Sequence, residues 1–128
     1  LNGEWEFEFD FSVSGEEREM YENGEFTKKI TVPFCPESKL SGIGYVDFMP
    51  AVWYRKKIDL EKLENKRAIL HFGAVDYRSS VWVNGNLCGT HVGGYCSFEY
   101  DITDALVAGA NIAGFEKVAD AMLAQGLV

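Results

Sequence analysis

The chain has 128 residues, of which 47% are hydrophobic and 14% aromatic, so it is long enough for one substantial core and too short for two. Its formal net charge of -8 excludes a general electrostatic attraction to nucleic acid or to an anionic membrane, because both need a basic protein surface. No apolar run approaches the roughly 20 residues that a membrane-spanning helix needs. Neutral partners, sugars among them, stay open.

The first predicted element is a strand in which aromatic and acidic residues alternate. The aromatic positions are Trp5, Phe7, Phe9 and Phe11, and the acidic positions are Glu4, Glu6, Glu8 and Asp10. Successive side chains of a strand point to opposite faces of a sheet. The pattern therefore predicts one aromatic face, directed at a core, and one acidic face.

Further strands are predicted at residues 26–32, 52–59, 68–72, 79–83, 86–89 and 97–101, because short apolar runs alternate there with turn residues. Asn84-Gly85 predicts a two-residue type I′ hairpin, since both residues tolerate positive φ. No helical apolar period occurs before residue 104. These signals predict a mainly β fold, an antiparallel β-sandwich of the jelly-roll kind.

Residues 32–50 predict a long ordered loop. Pro33, Pro36, Gly42, Gly44 and Pro50 interrupt any continuous ladder across this segment. Loops of that length within compact domains usually serve a ligand or a neighbouring domain.

The end of the chain predicts a short C-terminal helix. The apolar residues with helical spacing are Phe115, Val118, Ala119, Met122 and Leu123, and Gly126 stands where such a helix would end. The predicted organisation is therefore a sandwich domain at residues 1–111 followed by a helical tail at residues 112–128.

The cysteines and histidines predict neither a metal site nor a cofactor. Cys35, Cys88 and Cys96 follow no Cys-x-x-Cys spacing and are expected to be small buried hydrophobes. His71 and His91 lie on separate predicted elements. A cytoplasmic, bacterial location is expected; because the chain begins at Leu1 rather than Met, secretion or a periplasmic location stays open.

Five segments, in this order, resemble the amino end of glycoside hydrolase family two. The segments are Leu1-Asn2-Gly3-Glu4-Trp5-Glu6-Phe7, Val32-Pro33-Phe34, Val52-Trp53-Tyr54-Arg55-Lys56, Val81-Trp82-Val83-Asn84-Gly85, and Gly93-Gly94-Tyr95 with Phe98 and Asp101-Ile102-Thr103. The family contains β-galactosidases, β-glucuronidases and β-mannosidases. The resemblance covers roughly residues 1 to 111.

The resemblance implies a galactose-binding-like jelly roll, which in the full enzymes precedes an immunoglobulin-like domain and a catalytic barrel that carries both catalytic glutamates. No residue of this chain is therefore expected to be catalytic, and the chain is expected to be inactive alone. The family continues after Asn111 into a strand, where residues 112–128 predict a helix. A missing strand would leave an unpaired edge, so we expect the tail or a second copy of the chain to cover it.

Four residues are candidates for sugar contact. Tyr45 and Asp47 lie in the long loop, and a carboxylate can accept two hydrogen bonds from adjacent hydroxyls; an interface with the catalytic domain is the alternative. His91 and Tyr95 flank two glycines, where a Tyr ring could stack on a sugar. The alternative there is a tight loop whose Tyr closes the end of the sandwich.

The predicted function is that of a non-catalytic sugar-binding and scaffold domain of a β-galactosidase-like glycosidase. Its predicted partners are carbohydrate and the downstream domains, with self-association through an unpaired strand edge as a further possibility. The alternatives are a free-standing carbohydrate-binding module and a protein-interaction sandwich.

Overall fold

A computed structural model of the chain describes residues 1–58, 67–105 and 110–117, which form eight strands and one short helix. Among these residues, no helix has the length and apolar character needed to cross a membrane. The elements are β1 (Gly3–Phe9), α1 (Met20–Asn23), β2 (Lys28–Val32), β3 (Val52–Ile58), β4 (Ile69–Phe72), β5 (Arg78–Val83), β6 (Asn86–Val92), β7 (Phe98–Asp101) and β8 (Ala110–Lys117).

The strands form two antiparallel sheets. The large sheet has six strands in the order β2-β1-β3-β8-β5-β6, and the small sheet pairs β4 with β7. The predicted antiparallel β-sandwich is confirmed, and each predicted strand overlaps an observed one. The largest shift at a strand end concerns β6, which runs to Val92 rather than ending at Gly89.

Hydrophobic side chains fill both faces of the large sheet. The main core, between the sheets, consists of Trp5, Phe7, Ile30, Met49, Val52, Leu70, Val81, Val83 and Ile102. A second cluster on the outer face consists of Met20, Ala51, Trp53 and Trp82, with Tyr21 and Phe26 packed against it. The rings of Tyr21 and Trp82 are stacked at 4.9 Å. The segment that contains α1 thus covers apolar surface that a solvent-facing sheet would leave exposed.

The alternation of β1 holds to the end of the strand and then fails. Trp5 and Phe7 are buried as predicted, and Phe9 is half-buried. Phe11 is 56% exposed and Asp10 is buried, the reverse of the predicted pattern. Because β1 ends at Phe9, the two-residue period of the strand no longer decides which way the next side chains point.

The Asn84-Gly85 hairpin is confirmed. Asn84 has φ 51° and Gly85 has φ 80°, the pair of positive values that a type I′ turn needs. The turn joins β5 to β6, and the Asn84 side chain donates a hydrogen bond from Nδ2 to the Ala105 carbonyl at 2.8 Å. The hairpin is therefore also tied to the segment that follows β7.

The predicted C-terminal helix is wrong at residues 112–117, which belong to β8; residues 118–128 lie outside the described part of the chain. The boundary that the sequence placed at residue 111 falls inside this strand. β8 pairs with β3 on one side and with β5 on the other. Hydrogen bonding to two neighbouring strands overrides a helical spacing of apolar residues. The strand expected to be missing is therefore present in the centre of the sheet.

The cysteines are all free, and their predicted burial is wrong at two positions. Cys35 and Cys96 are exposed, and Cys88 is half-buried. Both exposed cysteines lie in loops, Cys35 after β2 and Cys96 before β7. Burial and the nearby Glu37 carboxylate raise the pKa of Cys35.

Candidate functional site

The long loop at residues 33–50 completes the layer that faces the large sheet. Ser41 and Met49 are buried, and Ile43 and Tyr45 pack against the main core. A single 3₁₀ turn, Lys39–Ser41, is capped by the Ser38 hydroxyl, which accepts a hydrogen bond from the Leu40 amide. The predicted ordered loop is confirmed, and its order comes from the core residues that it supplies.

Tyr45 belongs to an aromatic group at the end of β1. Its ring lies 4.8 Å from that of Phe9 and 6.2 Å from that of Phe11, and Phe9 and Phe11 are stacked at 5.2 Å. Tyr45 and Phe9 line a shallow hollow of about 320 Å³ together with Lys28. Asp47, two residues further on, is exposed. This side of the sandwich thus presents an aromatic ring, a carboxylate and an ammonium group to solvent.

His91 and Tyr95 lie at the end of β6, but only one of them is in the loop. His91 is a residue of β6, and its ring stacks on Phe98 of β7 at 4.0 Å with an interplanar angle of 14°. The His91 Nδ1 atom is buried and has no hydrogen-bond partner within the described chain. Tyr95 is 76% exposed, so it does not close the end of the sandwich.

Strand register places the two pairs of candidates at one end of the large sheet and far apart across it. Phe9 pairs with Val52, Val52 with Glu116, Glu116 with Ser79, and Ser79 with His91. Four strand spacings of about 4.8 Å separate β1 from β6, roughly 19 Å. One sugar ring is too small to span that distance, so Tyr45 and His91 cannot belong to one monosaccharide site.

Among the described residues, the carboxyl groups with shifted pKa values act as hydrogen-bond acceptors. Glu6, Glu8, Asp10 and Asp101 all have a lowered pKa. Hydrogen bonds from Thr103 and Arg67 lower the pKa of Asp101 to about 2. A carboxylic acid that donates a proton in glycoside hydrolysis needs a raised pKa. These four groups therefore have the opposite electrostatic environment, and all four stabilise local structure.

A hollow that was not foreseen from the sequence lies beside β4. It has a volume of about 610 Å³ and is lined by all four residues of β4, Ile69–Phe72, and by none of β7. Its floor is the inner face of the large sheet, including Trp5, Tyr54 and Val81. Its far wall is the start of the long loop, residues 33–36. We call this hollow the β4 cleft.

No group of three or more His, Cys, Asp or Glu side chains within the described ranges could hold a metal ion. The two histidines lie on different strands of different sheets, His71 on β4 and His91 on β6. The His71 ring instead faces Glu99 across the small sheet, with Nδ1 3.4 Å from the carboxylate.

Residues 10–119 match the family model for the sugar binding domain of glycosyl hydrolases family 2. The chain is similar to the β-glucuronidase of Felis catus, with 30% identity over 120 residues, 85% of this chain and 18% of that enzyme. It is 42% identical to the β-galactosidase of Thermoanaerobacter pseudethanolicus over 65 residues, 49% of this chain and 9% of that enzyme. The chain thus spans a small part of these relatives.

Solved structures have the same fold. A β-glucuronidase from an uncultured Clostridium sp. superposes with a TM-score of 0.72 at 28% identity, covering 90% of this chain and 21% of that one. The Ruminococcus gnavus β-glucuronidase in complex with uronic isofagomine gives a TM-score of 0.76 at 23% identity, over 90% of this chain and 20% of that one. At that identity, the second comparison supports the fold alone.

Proposed function

The chain belongs to the sugar-binding domain family of the family 2 glycosyl hydrolases, and from this premise we propose that it supports carbohydrate recognition in a β-glucuronidase- or β-galactosidase-like enzyme. The match of residues 10–119 to this domain carries the proposal. The chain contributes a rigid sandwich and the loops at one end of it. The bond-breaking carboxyl groups are supplied by another part of the enzyme.

The loops at the shared end of the sandwich would supply two separate contacts to a glycan. At the β1 side, Tyr45 is held in place by Phe9 and Phe11, and Asp47 is free to accept hydrogen bonds from sugar hydroxyls. At the β6 side, Tyr95 offers an exposed ring for stacking. His91 would position the Tyr95 loop through its stacking on Phe98. Because the two contacts lie roughly 19 Å apart, four strand spacings, they would bind two non-adjacent rings of one glycan or two separate ligands.

Titration of the isotope-labelled chain with methyl β-D-glucuronide and methyl β-D-galactoside, followed by NMR, tests this proposal. We expect amide shifts at Tyr45 and Asp47, and at Tyr95, at millimolar sugar. Tyr95→Ala should abolish the shifts around residue 95. Leu87→Ala is the matched control, because Leu87 is 58% exposed and lies at the opposite end of β6. If neither sugar shifts the amide resonances of Tyr45 and Asp47 or those of Tyr95, the proposed sugar contacts are wrong.

The family match does not favour a free-standing carbohydrate-binding module or a protein-interaction sandwich. The cytoplasmic location stays a prediction. Self-association also stays a prediction, and it loses its original basis because β8 occupies the position that was expected to be empty.

A further inference from the structure

Within the described part of the chain, the small sheet has an unpaired edge beside the β4 cleft. Among the described strands, β4 pairs with β7 alone. The amide of Ile102 donates to the carbonyl of Ala68 at 2.9 Å, which fixes the phase of the antiparallel ladder. Alternate residues of such a ladder point their N–H and C=O groups to opposite sides. The backbone groups of Leu70 and Phe72 therefore face β7, and those of Ile69 and His71 face the cleft.

The surfaces around this edge match what an added strand would cover. The floor of the cleft is apolar, with Trp5, Tyr54 and Val81 below the level of β4. Ser79, also on the floor, is 3% exposed, and its hydroxyl has no hydrogen-bond partner within the described residues. An incoming strand would place alternate side chains on this floor and its backbone against Ile69 and His71.

We propose that the β4 cleft binds one extended β-strand, with apolar side chains at alternate positions, that comes from the remainder of the glycosidase and adds to the small sheet beside β4. The chain covers 18% of the cat β-glucuronidase, so such an enzyme has ample sequence outside this domain to supply it. The source of the strand, a larger glycosidase, is the one part of the proposal that rests on the proposed function. A volume of about 610 Å³ also suits a small apolar molecule, but a small molecule would leave the backbone groups of β4 unpaired.

Amide hydrogen exchange on the isotope-labelled 128-residue chain tests the edge first. We expect the amides of Ile69 and His71 to exchange at least about tenfold faster than those of Leu70 and Phe72, because only the latter bond to β7. If all four exchange equally slowly, the edge is already covered and the proposal is wrong.

A synthetic peptide in which valine and threonine alternate between terminal lysines then serves as the probe strand. Binding should slow exchange at Ile69 and His71 and shift the resonances of Trp5. A peptide of the same composition without the alternation should bind at least about tenfold more weakly, since it cannot present one apolar face. If the Trp5 resonances shift but hydrogen exchange of the β4 amides does not slow, the cleft binds small apolar groups and the proposal of an added strand is wrong.

The register supplies a matched pair of variants. His71 and Glu99 pair across the small sheet and share one side-chain contact, so His71→Pro and Glu99→Pro both lose it. Only His71→Pro removes an N–H that faces the cleft, because the N–H of Glu99 faces the other edge of the sheet. We expect at least a tenfold loss of peptide affinity for His71→Pro and no more than a twofold change for Glu99→Pro. Equal losses would contradict the proposal.

Two further measurements distinguish strand binding in the β4 cleft from self-association and from sugar binding. Sedimentation of the chain alone, at increasing concentration, detects a second copy on the edge; dimers with protected Ile69 and His71 amides would overturn our choice of occupant. The sugar titration described above is independent of the peptide. If the peptide binds but sugar causes no shifts, the β4 cleft proposal is supported and the sugar contacts are wrong. If sugar causes shifts but the peptide does not bind, the sugar contacts are supported and the β4 cleft proposal is wrong.

Discussion

The buried carboxylate of Asp10 organises the outer face of the large sheet, and its removal gives the sharpest test of how the fold is held together. The Asp10 side chain accepts hydrogen bonds from the Gly15 amide at 2.8 Å, the Ser14 amide at 3.1 Å and the Trp53 indole N–H at 3.1 Å. Arg18 lies 3.3 Å away as its counterion. One carboxylate thus joins the loop after β1 to the buried indole of β3.

We expect Asp10→Ala to lower the free energy of unfolding by about 3–5 kcal/mol. Each hydrogen bond to a charged group contributes about 1.5–3 kcal/mol, and a buried donor left without an acceptor costs about 1–3 kcal/mol. The variant leaves two donors, the Gly15 amide and the Trp53 indole, without their acceptor in a buried position. The loss is a large share of the 5–15 kcal/mol that is typical of a small domain.

The same carboxylate predicts a dependence on pH. Burial raises the pKa of Asp10, but hydrogen bonds from Ser14, Trp53 and Gly15, with the charge of Arg18, outweigh it and lower the pKa below its usual value. A group whose pKa is lowered by folding stabilises the protein above its unfolded pKa, and that contribution is lost as pH falls through the folded value. The wild-type chain should therefore lose stability below about pH 4, and Asp10→Asn should lose less over the same range.

Urea unfolding followed by tryptophan fluorescence measures these effects, since Trp53 reports on the site directly. Glu4→Gln is the matched control, because Glu4 is an exposed partner of Lys29 and such pairs contribute about 0–1 kcal/mol. A loss below about 1 kcal/mol for Asp10→Ala, or a pH response of Asp10→Asn equal to that of the wild type, would refute this account of the carboxylate.

Two further predictions concern the backbone and an ion pair. Gly85→Ala should destabilise the chain by about 1 kcal/mol in urea, because φ at this turn is +80°, whereas Gly73→Ala, with open space around its Cβ, should change it by less than about 0.5 kcal/mol. Arg55→Lys should cost about 1–2 kcal/mol, because the guanidinium bonds both oxygens of Glu6, at 2.6 and 3.1 Å. Arg67→Lys, at an exposed pair, should cost measurably less. Equal effects within either pair of variants would contradict the reasoning.

Local sequence signals predicted the parts of the fold that depend on short-range geometry. The alternation in β1 fixed which aromatic residues face the core, because a strand has a period of two. Asn84-Gly85 predicted the hairpin that joins β5 to β6, because few residues accept positive φ at both turn positions. The family motifs were sufficient to identify a sugar-binding sandwich.

Features built from distant segments could not be read from the sequence. Residues 112–117 begin the segment that the spacing of later apolar residues predicted as a helix, yet hydrogen bonds from β3 and β5 on either side make them a strand. Asp10 continues an apparently solvent-facing series of acids, and only the approach of Trp53 and the Gly15 amide makes a buried carboxylate favourable. The β4 cleft arises where the small sheet ends short of the long loop.

The sequence by itself determined the class of fold, the positions of seven strands, the hairpin and the family, because each depends on a local pattern or on the order of motifs along the chain. The tertiary structure decided that β8 is a strand, that Asp10 is buried, that Tyr45 and His91 lie at opposite sides of one end, and that none of the described strands pairs with the outer edge of β4. Each of these depends on which strands lie side by side, and local periodicity carries no information about that.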